Sequence, residues 1–280
     1  MSLPFLSATD VARRLDAPAA ADALEAALAA GLDPEAEPPR GVLELEGGQL
    51  LVMPSATGGH AAVKLVTVGG DPRVQGVCVV FDTRTLAPVA LVDGIALTNL
   101  RTPAVSALAV RRLAAPDARR LLIFGRGPQA RAHAEALRAV RPIERVDLVG
   151  RDHGPADDLV AAADVICCCT TCGEPLFDGA LVADHATVVA IGSHEPGVRE
   201  TDDALARRAT VVVESRTSAL REAGDVISAV AAGALAESDL VTLADLVTGR
   251  AAPAPGRPRL FKSTGMAWED AVVATALAGA

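Results

Sequence analysis

Leu121-Leu122-Ile123-Phe124-Gly125-Arg126-Gly127-Pro128-Gln129-Ala130 is an apolar run that ends in glycines and opens directly into a helical pattern. Gly125 permits the tight exit from a strand, Gly127 leaves bare backbone for a pyrophosphate, and Ala130 is small enough for a helix to pack closely on that strand. Pro128 suits the first helical turn, because the N–H it lacks would have no partner there. From Gln129 to Val140 the spacing of Ala130, Ala134 and Leu137 predicts a helix, and Arg145-Val146-Asp147-Leu148-Val149 predicts the strand that closes a βαβ unit. A lone G-x-G-x-x-A specifies little, but strand before and helix after make it a dinucleotide-binding turn. The competing reading is a glycine turn that binds nothing.

The 280 residues can bury a large core, and they are 50% hydrophobic but only 2% aromatic, with no tyrosine, so that core must be aliphatic. A net charge of −9 argues against a nucleic-acid surface, which needs clustered positive charge. No basic-then-apolar leader opens the sequence and no uninterrupted apolar run reaches transmembrane length, which predicts a cytoplasmic protein with small-molecule ligands. Cys78, Cys167, Cys168, Cys169 and Cys172 read as reduced, buried thiols. Three consecutive cysteines on a strand point to alternating faces and cannot share one metal. Cys169-Thr170-Thr171-Cys172 lacks a second pair or paired histidines, so no metal site is expected.

Helices are predicted from Ser7 to about Leu15 and from Pro18 to Ala30, stopping at Gly31. Short β-type runs follow at 42–45, 49–53, 62–68, 76–81, 88–92 and 95–97, separated by Gly47-Gly48, Gly69-Gly70-Asp71-Pro72 and Asp93-Gly94; they predict a curved or closed antiparallel sheet. A helix is expected to begin at Thr102-Pro103 and run through Leu113. After Arg151 only about a dozen residues precede the strand Val165–Cys169, where a doubly wound domain places helix, strand and helix, so one strand is expected to be missing. Strands at Thr187–Ile191 and Thr210–Val213, helices over 217–247 and a final helix over 265–278 complete the pattern. The fold class is therefore α/β: a shortened Rossmann-type parallel domain over 105–248, and an α+β domain over 1–104 completed by 249–280.

Of 26 basic residues only Lys64 and Lys262 are lysines. An ammonium can lose its proton when desolvated whereas a guanidinium effectively cannot, so both lysines are candidates for chemistry. Lys64, flanked by Val63 and Leu65, points to the opposite face of its strand from both, and inside a sheet its amine needs a partner. Lys262, in Phe261-Lys262-Ser263, reads as a supporting loop residue. Arg40 and Arg101 flank the sheet segment.

These residues resemble the ornithine cyclodeaminase/mu-crystallin family of NAD(P)-dependent proteins. The resemblance runs from about Arg40 to Ala278. It rests on Met53-Pro54, Val63-Lys64-Leu65-Val66-Thr67, Arg101-Thr102-Pro103-Ala104-Val105-Ser106-Ala107, residues 125–130, Glu174-Pro175, residues 192–200, Glu222-Ala223-Gly224-Asp225 and residues 261–270. It implies a homodimer of two-domain subunits, with the N-terminal part and the last helix forming the dimerising substrate domain. In such proteins the Arg40 and Arg101 positions hold the substrate carboxylate and the Lys64 position lies beside the reacting C–N bond. A guanidinium fork binds a carboxylate bidentately, in keeping with that role.

The family's cyclodeaminases carry Gly-Gly-Asp-Cys-Pro where this chain has Gly192-Ser193-His194-Glu195-Pro196. A protonated His194 cannot hold the substrate's distal ammonium, although neutral it could act as a base, and Glu195 could replace the acid. A loop cap or cofactor contact is the other reading of His194. Gly125, Gly127, Pro128, Gln129, Ala130, Arg151, Thr170, Thr171 and Gly192 are the expected cofactor contacts. Gly150 stands where NAD-selective proteins often carry an acid for the ribose, and Arg151 can reach a 2′-phosphate, which favours NADP(H); Asp152 pointing the same way would reverse this. The expected function is reduction of a small cyclic imino acid, or a related amino-acid dehydrogenation, with Lys64 and His194 as catalytic candidates. Cyclodeamination of ornithine and a non-catalytic, mu-crystallin-like ligand binder are the alternatives.

Overall fold

The computed structural model describes residues 3–279. They divide into two units, Met1–Val105 with Met266–Ala280, and Ser106–Gly265. In the first, a short strand β1 (Phe5–Leu6) leads to α1 (Ala8–Arg14), where Ser7 and Asp10 form a reciprocal capping box. Asp16 caps α2 (Ala17–Ala29) by accepting from Ala19 N at 2.9 Å. Then come β2 (Gly41–Leu45), β3 (Gly48–Thr57), β4 (His60–Val68), β5 (Val74–Asp82) and β6 (Pro88–Asp93). They form an open six-stranded sheet in the order β1-β6-β5-β4-β3-β2, antiparallel except for β1, which runs parallel to β6. The antiparallel reading holds for five strands; β1 is too short to leave a periodic signal.

The expected strand at 95–97 is instead the first turn of a long helix, α3 (Gly94–Leu113), which also overturns the start predicted at Thr102-Pro103. The cause is Asp93, whose Oδ1 accepts from the N–H groups of Ile95 (3.0 Å) and Ala96 (2.9 Å) and so starts the helix eight residues earlier, at Gly94. Pro103 is then an interior residue. Gly94 is required at this corner, since a Cβ there would lie 2.6 Å from the backbone of Gly76.

The second unit holds β7 (Arg120–Phe124), α4 (Pro128–Val140), β8 (Arg145–Val149), α5 (Asp157–Ala162), β9 (Val165–Cys168), β10 (Thr187–Ala190), α6 (Asp203–Arg208), β11 (Thr210–Val213), α7 (Arg216–Glu222), α8 (Gly224–Ala231), β12 (Val241–Thr242), α9 (Leu243–Val247) and β13 (Arg259–Lys262). Its seven strands are all parallel, in the order β12-β11-β13-β10-β9-β7-β8. This is a Rossmann-type sheet with β8 at one edge and, as expected, no strand between β8 and β9. The core is aliphatic, built on Leu122, Ile166, Val188 and Val211, with Phe124 stacked on Phe177 at 5.2 Å.

The sequence pattern groups residues 249–265 with the substrate domain, whereas β13 fills the slot between β10 and β11, bonded in register to both. Lys262 hid this strand. A charge at the end of a four-residue run reads as exposed loop, but this one is buried. The chain then closes the first unit with α10 (Ala267–Gly279), which packs across β3, β4 and β5.

Candidate active site

Alternation along β4 buries Ala62, Lys64 and Val66 on the face that α10 covers. Lys64, 2% exposed, has its Nζ 2.7 Å from Oδ2 of Asp270. Arg101, on α3, reaches Oδ1 of Asp270 through Nε (3.2 Å) and Oε2 of Glu269 through Nη1 (2.7 Å). Two cations thus face two carboxylates in a buried cluster, which is how a protein interior tolerates four charges. Burial lowers Lys64 to about 8, with Arg101 adding to the effect and Asp270 opposing it. The neighbouring Cys78 is pushed up to about 12 by burial and the Asp270 charge.

Glu269 and Asp270 are partners that the sequence reading of Lys64 and Arg101 does not name. The signal for their role was present: two acids open a helix that offers no polar face to solvent. Arg40 is half-buried and immediately precedes β2. Gly41 pairs with Val52, so the register extended by one residue sets Arg40 level with Met53, Lys64 and Cys78 in one row across the sheet.

In the second unit, the ends of β7 and β9 open onto a cleft of 880 Å³ lined by Gly125, Gly127, Gly150, Arg151, Thr170 and Thr171, among others. β7 has later strands on one side and β8 on the other, the position at which open α/β sheets bind ligands. Gly125 has φ +119°, and a Cβ there would lie 2.5 Å from the Cys169 carbonyl. Around Gly127 a Cβ would meet nothing within 4 Å, and no side chain caps α4. A helix start of this kind, opening at Pro128 behind a bare glycine, suits an anion. Ala130 is fully buried. These features fit a dinucleotide pyrophosphate.

Gly192 is not in the cleft lining; a Cβ on it would lie 1.9 Å from the Thr170 carbonyl, so it serves close packing behind the cleft. Glu200 ties these loops together, accepting from Gly192 N (2.7 Å), Thr170 N (3.0 Å) and Thr170 Oγ1 (2.8 Å). Burial raises Glu200 to about 7 against the pull of Lys262. Lys262 Nζ lies 3.0 Å from Oδ2 of Asp225, whose Oδ1 accepts from Glu200 N, Thr201 N and Thr201 Oγ1. Burial raises Asp225, but Lys262 and these bonds hold it below the usual carboxylate range. Lys262 is thus the counter-charge of a network beneath the Thr170 and Gly192 loops.

Arg151 is exposed beside the cleft, and Asp152 is bound by Arg126 at 2.7 and 2.9 Å. His194 is half-buried in the 192–200 loop, and Glu195 is exposed. The cysteine reading needs correction, since Cys169 is half-buried and Cys172 exposed. The structure also brings the ligand atoms of His133, Cys167 and Cys169 within 4.8 Å of one another. Cysteines two apart share a face, and α4 supplies the histidine that the sequence separates from them.

The model of the ornithine cyclodeaminase/mu-crystallin family matches residues 3–159 and 153–278. The chain is 33% identical over 262 residues to a Δ1-pyrroline-2-carboxylate reductase of Bacillus cereus, covering 82% of this chain and 80% of that one. The Thermococcus litoralis Δ1-pyrroline-2-carboxylate reductase, solved with NADH and L-proline, superposes with a TM-score of 0.92 at 27% identity, over 99% of this chain and 97% of that one. An archaeal alanine dehydrogenase dimer with bound NAD also gives 0.92, at 26% identity, over 100% and 96%. The chain belongs to the ornithine cyclodeaminase/mu-crystallin family.

Proposed function

We propose that this protein is an NAD(P)H-dependent reductase of small cyclic imino acids of the Δ1-pyrroline-2-carboxylate type. The observation that carries this reading is Lys64, a buried amine lowered to about 8 and held by Asp270. Such an amine is still an acid at neutral pH and can give its proton to a ring nitrogen. Arg40 and Arg101 hold the substrate carboxylate, with Glu269 and Asp270 fixing the plane of the Arg101 guanidinium. Gly125, Gly127, Thr170 and Thr171 line the cleft that holds the dinucleotide, Pro128 and Gln129 open the helix behind its pyrophosphate, buried Ala130 lets that helix pack close, and Gly192 and Glu200 support the Thr170 loop. A reduced nicotinamide supplies the hydride to the carbon of the C=N bond. Lys64 protonates the nitrogen and recovers its proton from solvent, and Asp270 stabilises the ammonium meanwhile.

Amino acid–keto acid interconversion is the second reading, favoured by the likeness to the archaeal alanine dehydrogenase. Cyclodeamination is disfavoured, because His194 replaces the acid that handles the distal amine and, when protonated, repels it. Assay of NAD(P)H oxidation with five- and six-membered cyclic imino acids, and with keto acids plus ammonia, beside ornithine-to-proline conversion, tests this. Imine reduction is expected to exceed ornithine conversion by at least roughly a hundredfold, about 2.7 kcal/mol in the barrier. Faster ornithine conversion overturns the assignment, and no turnover or dinucleotide binding at all favours a ligand-binding protein.

The cofactor reading is NADP(H). It is supported by exposed Arg151 at the cleft and by Arg126, which neutralises Asp152 so that a 2′-phosphate meets no bare acid. Arg151→Ala is expected to lower the NADPH-to-NADH affinity ratio about tenfold, equivalent to about 1.4 kcal/mol. An unchanged ratio, measured by fluorescence titration, counts against Arg151.

A homodimer is supported by the edge strand β2, which exposes Val42 (52%), Leu43 (56%) and Leu45 (45%), and by the dimeric archaeal neighbour. A cytoplasmic location is the reading proposed, in keeping with five cysteines that form no disulfide with one another. Among the described residues no helix is long and apolar enough to cross a membrane.

A further inference from the structure

We propose that Cys169 is a modification site: a nucleophilic thiolate, clustered with His133 and Cys167 at the wall of the dinucleotide cleft, whose reaction with soft electrophiles or peroxide excludes the dinucleotide. Nothing in the reduction described above uses this cluster.

His133 Nδ1 lies 2.8 Å from the carbonyl of Gln129, which can only accept, so Nδ1 carries a proton. That leaves Nε2, 2.9 Å from Ser106 Oγ, as the nitrogen that takes up a proton from a neighbour. Cys169 Sγ lies within 4.8 Å of a ring nitrogen of His133. Cys167 Sγ is 3.5 Å from Cys169 Sγ. Cys167 is fully buried, which raises its thiol well above the ordinary value, and a hydrogen bond joins its sulfur to that of half-buried Cys169. This bond and His133 outweigh burial and hold Cys169 well below the usual thiol range. Burial alone would push His133 down, but Cys169, the Gln129 carbonyl and the charge of Glu200 raise it, which favours its protonated form. Glu200 is the other titratable group that bears on the pair.

Position gives the thiolate its consequence. Cys169 lines the same cleft as Gly125 and Gly127, and its carbonyl fills the space that a Cβ on Gly125 would take. A group added to its sulfur competes for the room a pyrophosphate needs. With peroxide, the thiolate attacks one oxygen, the O–O bond breaks, and the departing hydroxide takes the proton from His133 to leave water and a sulfenic acid. Sulfur is oxidised, peroxide is reduced, and the imidazole ends neutral.

The inference rests on the cleft being the dinucleotide site, so the test measures the two separately. The full-length protein is pulsed with iodoacetamide from pH 5.5 to 9, each cysteine is followed by peptide mass spectrometry, and NADH and NADPH binding are followed by fluorescence. Cys169 is expected to react at least about tenfold faster than exposed Cys172 at pH 6, with a rate nearly flat from pH 6 to 8, where an ordinary thiol gains roughly tenfold per unit. His133→Gln should abolish that advantage at pH 6 and not at pH 9. Saturating dinucleotide should slow Cys169 at least tenfold while sparing Cys172, and alkylation of Cys169 should cost at least tenfold in dinucleotide affinity. Cys172 reacting first, or a Cys169 rate that climbs with pH like an ordinary thiol, overturns the proposal in the wild-type protein alone. Intact dinucleotide binding without protection overturns it too, whereas absence of dinucleotide binding overturns the cofactor reading instead. Stoichiometric zinc that must be chelated before Cys169 reacts would replace the thiolate with a metal centre.

Discussion

Lys64→Arg is expected to lower kcat/KM for imine reduction by roughly 10²- to 10⁴-fold, the usual range for loss of a positioned acid, and to leave dinucleotide affinity within about twofold. Charge is conserved, so an electrostatic role alone would survive the change. A guanidinium cannot give up a proton near neutral pH, and it presents a planar fork where the Asp270 carboxylate meets a point ammonium at 2.7 Å. The wild-type pH profile supplies the second measurement. Lys64 is lowered to about 8 by burial, and the reduction needs it protonated, so kcat/KM should be level below that value and fall as pH rises through it. The arginine variant should lack that limb. Because the site is 2% exposed, overpacking of about 1–3 kcal/mol is expected, and thermal unfolding of the variant separates that loss from the loss of chemistry. Residual turnover within tenfold of wild type would reduce Lys64 to a fixed charge.

Lys262→Met is expected to destabilise the protein by about 3–5 kcal/mol, because it leaves Asp225 charged and buried with no counter-ion. For a chain of this size that is a fall in Tm on the order of 10 °C. Dinucleotide affinity should fall with it. Lys262 draws Glu200 toward its ionised form, and Glu200 accepts from Thr170 and Gly192; without Lys262 the carboxylate protonates and its hold on Thr170 slackens. Adding Asp225→Asn to Lys262→Met should recover most of the stability. An asparagine carbonyl can still accept from Glu200 N and Thr201 N, and no charge remains unpaired. A single variant as stable as wild type would show that the ion pair is incidental. A double variant no better than the single would assign the loss to packing.

The parallel sheet around β7 was legible because its signals are local. An apolar run, a glycine needed for a φ of +119°, a proline at a helix start and a small residue facing a strand all lie within ten consecutive positions. Alternation along β4 likewise sets Lys64 on the face opposite Val63 and Leu65, and the structure shows that face to be the buried one. The reading failed where one residue's local chemistry has two outcomes. Ile95-Ala96-Leu97 is as good a strand as a helix until the Asp93 carboxylate takes the first N–H groups. Arg259–Lys262 reads as loop until Asp225 neutralises its lysine inside the sheet.

By itself the sequence determined the turn that shapes the cleft, the face on which Lys64 lies, the strand absent between β8 and β9, and the family. Only tertiary structure decided the partners: Glu269 and Asp270 against Lys64 and Arg101 across more than 160 positions, and His133 against Cys169 across 36. The reason is physical. Backbone conformation and side-chain direction depend on near neighbours, which a sequence displays, whereas the ionisation of a buried group depends on whichever charges the fold brings within a few ångströms, and no spacing along the chain records that distance.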